Sequence, residues 1–120
     1  MHEDRRLSFE GARFETAVAH EGRNTIRSAR ATTGVPTSMC NFIDLCIVPA
    51  GSSIGVHTHG ADDEEIYVVV DGRGRMSVDG ETFGVGPGDV IVNPPGGTHG
   101  LANDGDTPLR LVVVDMATTA

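Results

Sequence analysis

Glycine and proline punctuate this chain at intervals too short for ordinary helices. Sixteen glycines and six prolines are spread over 120 residues, and short runs rich in valine and isoleucine lie between them. Such punctuation would break helices but suits strands joined by tight turns, so the sequence predicts an all-β barrel or sandwich. Strands are expected at Asn41 to Val48, Glu65 to Val70, Gly74 to Val78, Thr82 to Val85, Val90 to Asn93, His99 to Ala102 and Leu109 to Met116. Turns such as Asp79-Gly80 and Gly86-Pro87-Gly88 separate them. Upstream, FETAVAH and NTIRSA are two short alternating segments parted by Glu21, Gly22 and Arg23, and they read as strands that lengthen the sheet or cross to a partner subunit. Residues 1–8 are expected to form a flexible tail and 9–117 a single domain, with no internal repeat.

Two segments of this framework carry chemistry. The first, Gly51 to Gly72, reads GSSIGVHTHGADDEEIYVVVDG and holds His57, His59 and Glu65. Side chains alternate along a strand, so two histidines at i and i+2 point the same way and can hold one ion from one side. The turn at Gly60 to Asp63 then brings Glu65 back beside them, and Glu65, Tyr67 and Val69 share one face of the return strand. The second segment, Gly88 to Asn103, reads GDVIVNPPGGTHGLAN, and its Pro94-Pro95-Gly96-Gly97 corner turns His99 inward. His57, His59, Glu65 and His99 are therefore the candidate metal ligands.

Both segments resemble the two motifs of the cupin superfamily. The first cupin motif is Gly, five residues, His-x-His, three or four residues, Glu, six residues, Gly, which Gly51, His57, His59, Glu65 and Gly72 follow with one departure. Five residues, not three or four, separate His59 from Glu65. The second motif is Gly, five residues, Pro-x-Gly, two residues, His, three residues, Asn, and Gly88, Pro94, Gly96, His99 and Asn103 match it without a gap. The likeness runs from about Pro36 to Asp115, and two spaced motifs in order are far more specific than one. Glu64 would restore the gap after His59, but it would put seven residues before Gly72 and face the other side of the strand. Glu65 is preferred and Glu64 is the fallback, the extra residue being absorbed in the turn.

The resemblance implies a double-stranded β-helix, a jelly-roll-like barrel, with one divalent transition metal ion inside it. Three imidazoles and a carboxylate suit Fe(II), Mn(II), Ni(II), Co(II) or Zn(II) and leave an octahedral ion two open positions. Cupins include dioxygenases, isomerases, cyclases, decarboxylases and ligand-binding domains, so the fold alone decides little. The first expectation is a small metal-dependent enzyme acting on a small organic molecule in the barrel, of dioxygenase or isomerase/cyclase type, with Glu65 and Tyr67 as candidate catalytic residues. The alternatives are a non-catalytic small-ligand-binding barrel and a metal-independent dehydratase or cyclase using histidine and glutamate as acid and base. Barrels of this family commonly pair through an outer sheet face, and the apolar, alternating strand Leu109 to Met116 offers one, so a homodimer is expected.

The remaining residues narrow the choice. A formal charge of −8 disfavours nucleic acid and anionic membrane as partners. All nine basic residues are arginine, which excludes Schiff-base chemistry. The N-terminal residues Met1 to Arg6 have no apolar core and no stretch approaches 18 apolar residues, so a cytoplasmic protein without signal peptide or membrane span is expected. Cys40 and Cys46 would lie about 20 Å apart along one strand, beyond disulfide reach, and read as small buried hydrophobes. His2 and His20 read as ordinary core or surface residues, with a place on the cavity rim as the alternative for His20. The run Asp62, Asp63, Glu64 reads as a solvated turn. Arg73 and Arg75 would anchor a substrate carboxylate only if turned inward; solvated positions fit them better. Asn41 and Asp44 have opposite parity in an apolar strand, so only one of them can look into the cavity.

Overall fold

A computed structural model describes residues 5–119. It contains ten strands: β1 (Glu15–Ala17), β2 (Ile26–Arg30), β3 (Cys40–Val48), β4 (Ser53–Thr58), β5 (Asp63–Asp71), β6 (Gly74–Val78), β7 (Glu81–Val85), β8 (Val90–Asn93), β9 (Thr98–Ala102) and β10 (Leu109–Ala117). One sheet has the order β1-β2-β3-β10-β5-β8 and the other β4-β9-β6-β7. Strands adjacent in sequence often lie in different sheets, as β3 and β4 or β8 and β9 do. The fold is thus all-β, a jelly-roll-like double-stranded β-helix. Among the described residues there is no α-helix, and so none long and apolar enough to cross a membrane.

The inward faces of the two sheets form one core. Val48, Val69, Leu109 and Leu111 from the larger sheet meet Ile54, Met76 and Leu101 from the smaller one. Each such side chain contributes about 1.5–3 kcal/mol on burial. Asn103, the last residue of the second motif, is fully buried and serves this framework: its Nδ2 donates to the carbonyls of Val48 (2.9 Å) and Thr107 (2.8 Å), and its Oδ1 accepts from Gly105 N–H (3.0 Å).

Alternation along β4 is broken by a bulge. Ile54 pairs with Leu101 and His57 with His99, so Gly55 and Val56 together stand opposite Gly100 alone. The bulge resets parity. Ile54 and His57 consequently both face inward although three positions apart, while Val56 turns outward and is 64% exposed. Gly100 is required for this, because a Cβ there would come within 2.9 Å of the Val56 side chain and 3.0 Å of its backbone.

Several boundaries differ from the sequence expectation. FETAVAH supplies only the three residues of β1 plus a single parallel bridge from Ala19 to Ile54, because His20 and Glu21 take positive φ (49° and 58°) and end extended pairing. β5 begins at Asp63, two residues before the expected start, since Ala117 and Met116 of the long last strand continue the ladder to Asp63 and Glu64. Residues 1–4 of the expected tail, including His2, lie outside the described residues. Beyond them, Ser8 opens a turn, with its carbonyl accepting from Ala12 N–H (2.9 Å), and Phe9 stacks near Phe14.

Candidate metal centre

The four expected ligands come from four different places in the chain. His57 on β4 and His99 on β9 face each other directly across the ladder. His59 follows the end of β4, and its N–H donates to the Gly97 carbonyl (3.0 Å) while Gly96 N–H donates to the Gly60 carbonyl (3.0 Å). These two bonds tie the loop after β4 to the Pro-Pro-Gly-Gly corner, whose Gly96 takes φ 71°. Glu65 reaches in from β5 of the other sheet, so the cluster lies between the sheets.

One donor atom from each of His57, His59, Glu65 and His99 lies within 4.8 Å of the others. Glu65 Oε1 is 3.0 Å from His99 Nε2 and 3.1 Å from His59 Nε2, and the Nε2 atoms of His57 and His59 are 3.0 Å apart. Two ligands about 2.1 Å from a shared ion and about 90° apart would be separated by about this distance. The donor chemistry fits as well. Burial holds His57 down at about 4 despite its bond to the Gly55 carbonyl, so this ring is neutral near pH 7. With Nδ1–H donating to that carbonyl (2.7 Å), Nε2 presents its lone pair to the centre. Burial alone would raise Glu65, but the neighbouring His99 and His59 rings outweigh it and hold the carboxyl below its usual value. Three imidazoles and one carboxylate are a donor set for a divalent transition metal.

A second layer of carboxylates backs the cluster. His59 Nδ1 is 2.9 Å from Asp63 Oδ2. Asp115, buried on β10 and paired in register with Glu65, accepts from Asn41 Nδ2 at 2.8 Å. Burial and the neighbouring Asp63 and Glu65 push the Asp115 carboxyl up to about 7, against the opposing bond from Asn41. Asp63 was expected in a solvated turn with Asp62 and Glu64. Instead only Asp62 is exposed, and Asp63 is half-buried, because β5 starts early and places Asp63 on the same face as Glu65. Glu64 pairs with Met116 on the opposite parity and lies outside the cluster.

Beside Glu65 opens a cavity of about 210 Å³. Tyr67, buried and set edge-on to His99 with ring centroids 5.4 Å apart, lines it together with Cys46. Burial raises the Tyr67 phenol well above its ordinary value, so it is a hydrogen-bond donor at neutral pH. At the mouth, Arg30 lies over the Phe42 ring at 4.2 Å and pairs with Asp44 through Nε (2.9 Å) and Nη2 (3.1 Å). Of the two polar residues of β3, Asp44 therefore lines the cavity, while Asn41 bonds Asp115 beyond it. Arg73 and Arg75 are exposed and do not enter the interior.

His20 was read as an ordinary residue with a rim place as the alternative. It lines the cavity and stacks on His57, with centroids 3.5 Å apart and planes 7° from parallel. Sequence spacing gave no sign of this contact, because a positive-φ turn rather than a strand delivers the ring. Asn93 was also missed. Buried on β8 directly opposite Glu65, it leaves both side-chain polar atoms without a protein partner, as does His99 Nδ1. A polar residue in a short Val/Ile run was the available signal. The two cysteines are free, as expected, and burial pushes the Cys46 thiol up to about 12.

Comparison with known proteins agrees with this fold. A cupin-domain family model matches residues 44–115. An uncharacterized protein of Methanocaldococcus jannaschii is 44% identical over 66 residues, covering 55% of this chain and 52% of that protein. An oxalate-binding protein of Thermotoga maritima is 34% identical over 67 residues, covering 56% and 54% respectively. The chain spans about half the length of these curated relatives. Among solved structures, one described as a predicted oxalate decarboxylase from Thermotoga maritima superposes with a TM-score of 0.85 at 23% identity, covering 93% of this chain and 98% of that one. Another, described as a sugar phosphate isomerase from Silicibacter pomeroyi, gives 0.75 at 21% identity, covering 94% and 76%. At these identities the structural matches establish the fold.

Proposed function

The chain belongs to the cupin-domain family, and from that premise we propose that it binds one divalent transition metal ion through His57, His59, Glu65 and His99 and acts as a small metal-dependent enzyme. Its substrate is a small organic molecule held in the 210 Å³ cavity. The convergence of four metal-compatible donors from two sheets within 4.8 Å carries this reading. When bound, the metal supplies Lewis acidity, or electron transfer to dioxygen if it is redox-active, which corresponds to isomerase/cyclase and dioxygenase chemistry respectively.

The chain's own residues supply the rest. Glu65 and the three imidazoles would hold the ion. Tyr67 keeps its proton and donates a hydrogen bond that orients the ligand. The apolar lining from Ile26, Ile54 and Val113 excludes water from the ligand. Arg30 at the mouth is held by Asp44 and favours ligands carrying a carboxylate or similar oxygen-rich group.

A second reading is binding without turnover, favoured by the 34% identity to an oxalate-binding protein. The test is a panel of small carboxylates and hydroxy acids, oxalate included, offered to the metal-loaded protein, with oxygen consumption and NMR of the mixture as readouts. Metal-dependent conversion of any member supports the enzyme. Tight binding with no conversion supports the binding barrel, and neither outcome for any member counts against both.

The partner expected from sequence is a second copy of this chain, and we propose its face. Val90 and Val92 of β8, Ile66 and Val68 of β5, and Val112 and Val114 of β10 lie side by side in register on the outward surface of the larger sheet. Val90 and Val92 are 59% and 58% exposed, on a strand at the sheet's edge. Apolar rows of this kind suit pairing with an identical face.

A further inference from the structure

We infer that Asp63 is a positioning residue of the metal centre, the group that fixes the ring of His59 and directs its Nε2 at the ion. This rests on the metal-binding reading above.

The geometry is specific. His59 Nδ1 lies 2.9 Å from Asp63 Oδ2, while Nε2 of the same ring lies 3.0 Å from His57 Nε2 and 3.1 Å from Glu65 Oε1. A neutral imidazole has one N–H, and a carboxylate can only accept. Asp63 therefore draws the proton to Nδ1 and leaves the Nε2 lone pair facing the other donors. A charged acceptor also makes the ring a stronger donor to a metal than a neutral one would.

Asp63 is itself held in place. A carboxylate oxygen of Asp115 lies within 4.8 Å of it, and Asp115 Oδ1 accepts from Asn41 Nδ2 at 2.8 Å. Asp115 stands opposite Glu65 in the β5–β10 ladder, so one chain of contacts from β3 through β10 braces both His59 and Glu65. The other two imidazoles are held differently. His57 Nδ1 uses the Gly55 carbonyl at 2.7 Å, and His99 Nδ1 has no protein partner. His59 sits just after β4, where its backbone is tied to Gly97 (3.0 Å) and the side-chain brace from Asp63 orients its ring. The long interval between His59 and Glu65 also acquires a reason: its five residues place Asp63 four after His59 and two before Glu65, on Glu65's face of β5.

The test is titration of Zn(II) and Co(II) into the metal-free full chain, by competition with a chromophoric chelator and by the visible spectrum of the Co(II) form. Asp63→Ala is expected to weaken affinity by about 10- to 100-fold with one ion still bound per chain, and to alter the Co(II) bands. Asp63→Asn, whose amide oxygen accepts the same bond, is expected to recover most of that loss, and Asp62→Ala to match the parent. Should the alanine variant fail to fold, Asp63→Val, which suits a strand and has no acceptor, takes its place. Parent affinity in Asp63→Ala or Asp63→Val overturns the inference and leaves the metal reading intact. A parent stoichiometry of two ions falling to one in the variant would overturn it by making Asp63 a ligand of a second ion with Asp115. No binding by the parent chain overturns both the reading and the inference.

Discussion

Glu65 and His99 belong to different sheets, yet Glu65 Oε1 and His99 Nε2 meet at 3.0 Å between them. That contact makes the site a junction of the fold rather than a feature of one strand. An ion bound there would join β5 to β4 and β9, so ligand loss and metal loss should travel together.

His59→Ala and Glu65→Ala are each expected to lower bound metal to a small fraction of the parent value while far-UV circular dichroism stays that of a β-barrel. Glu64→Ala, on the other face of β5, should leave metal content unchanged. Metal retained in Glu65→Ala but lost in Glu64→Ala would reverse the assignment.

The β4 bulge is needed to aim His57, and Gly100 permits it. Gly100→Ala would press a methyl group against Val56 at 2.9 Å. We expect a loss of about 1–3 kcal/mol in urea unfolding, together with weaker metal binding because the His57–His99 pairing shifts. An unchanged midpoint and unchanged affinity would mean the bulge is not held by this contact.

The apolar outer face should make the parent chain a homodimer by light scattering at micromolar concentration. Introducing lysines at exposed edge positions, Val90→Lys with Val92→Lys, should yield a folded monomer. A parent that is already monomeric at that concentration rules out this interface.

Cys46 should be chemically inert although it lines the cavity. Its thiol, raised from 9.0 to about 12 chiefly by burial, stays neutral at pH 8, and the thiolate is the reactive form. Iodoacetamide should modify it slowly in the native protein and rapidly in urea. Because the folded value is raised, its stabilising contribution is complete below the unfolded value near 9 and is lost as pH climbs toward 12. Cys46→Val should flatten that alkaline loss; an identical alkaline profile would exclude Cys46 as its source.

The sequence made some of this readable and concealed the rest for physical reasons. His57, His59, Glu65 and His99 could be found because strand alternation and glycine-bounded turns leave a regular imprint. Their convergence nevertheless depends on a bulge at Gly55 and Val56 that alternation does not reveal; it puts Ile54 and His57 on the same side despite odd spacing. Asp63 was hidden among acidic neighbours, since a charge run looks the same whether solvated or folded into a strand. His20 reached the site through two consecutive positive-φ residues, and no local pattern announces the distant ring on which such a turn will land. The cavity rim, built from β2, β3 and the turn before β2, was the least legible part because it depends on packing between segments far apart in sequence.

The measurement that bears most directly on the metal centre is the metal-to-protein ratio by elemental analysis, on protein purified without an affinity metal column and without chelator. About one Fe, Mn, Ni, Co or Zn per chain is the predicted result. A ratio near zero that stays near zero after incubation with each of these ions would contradict a metal-binding role for the four converging side chains.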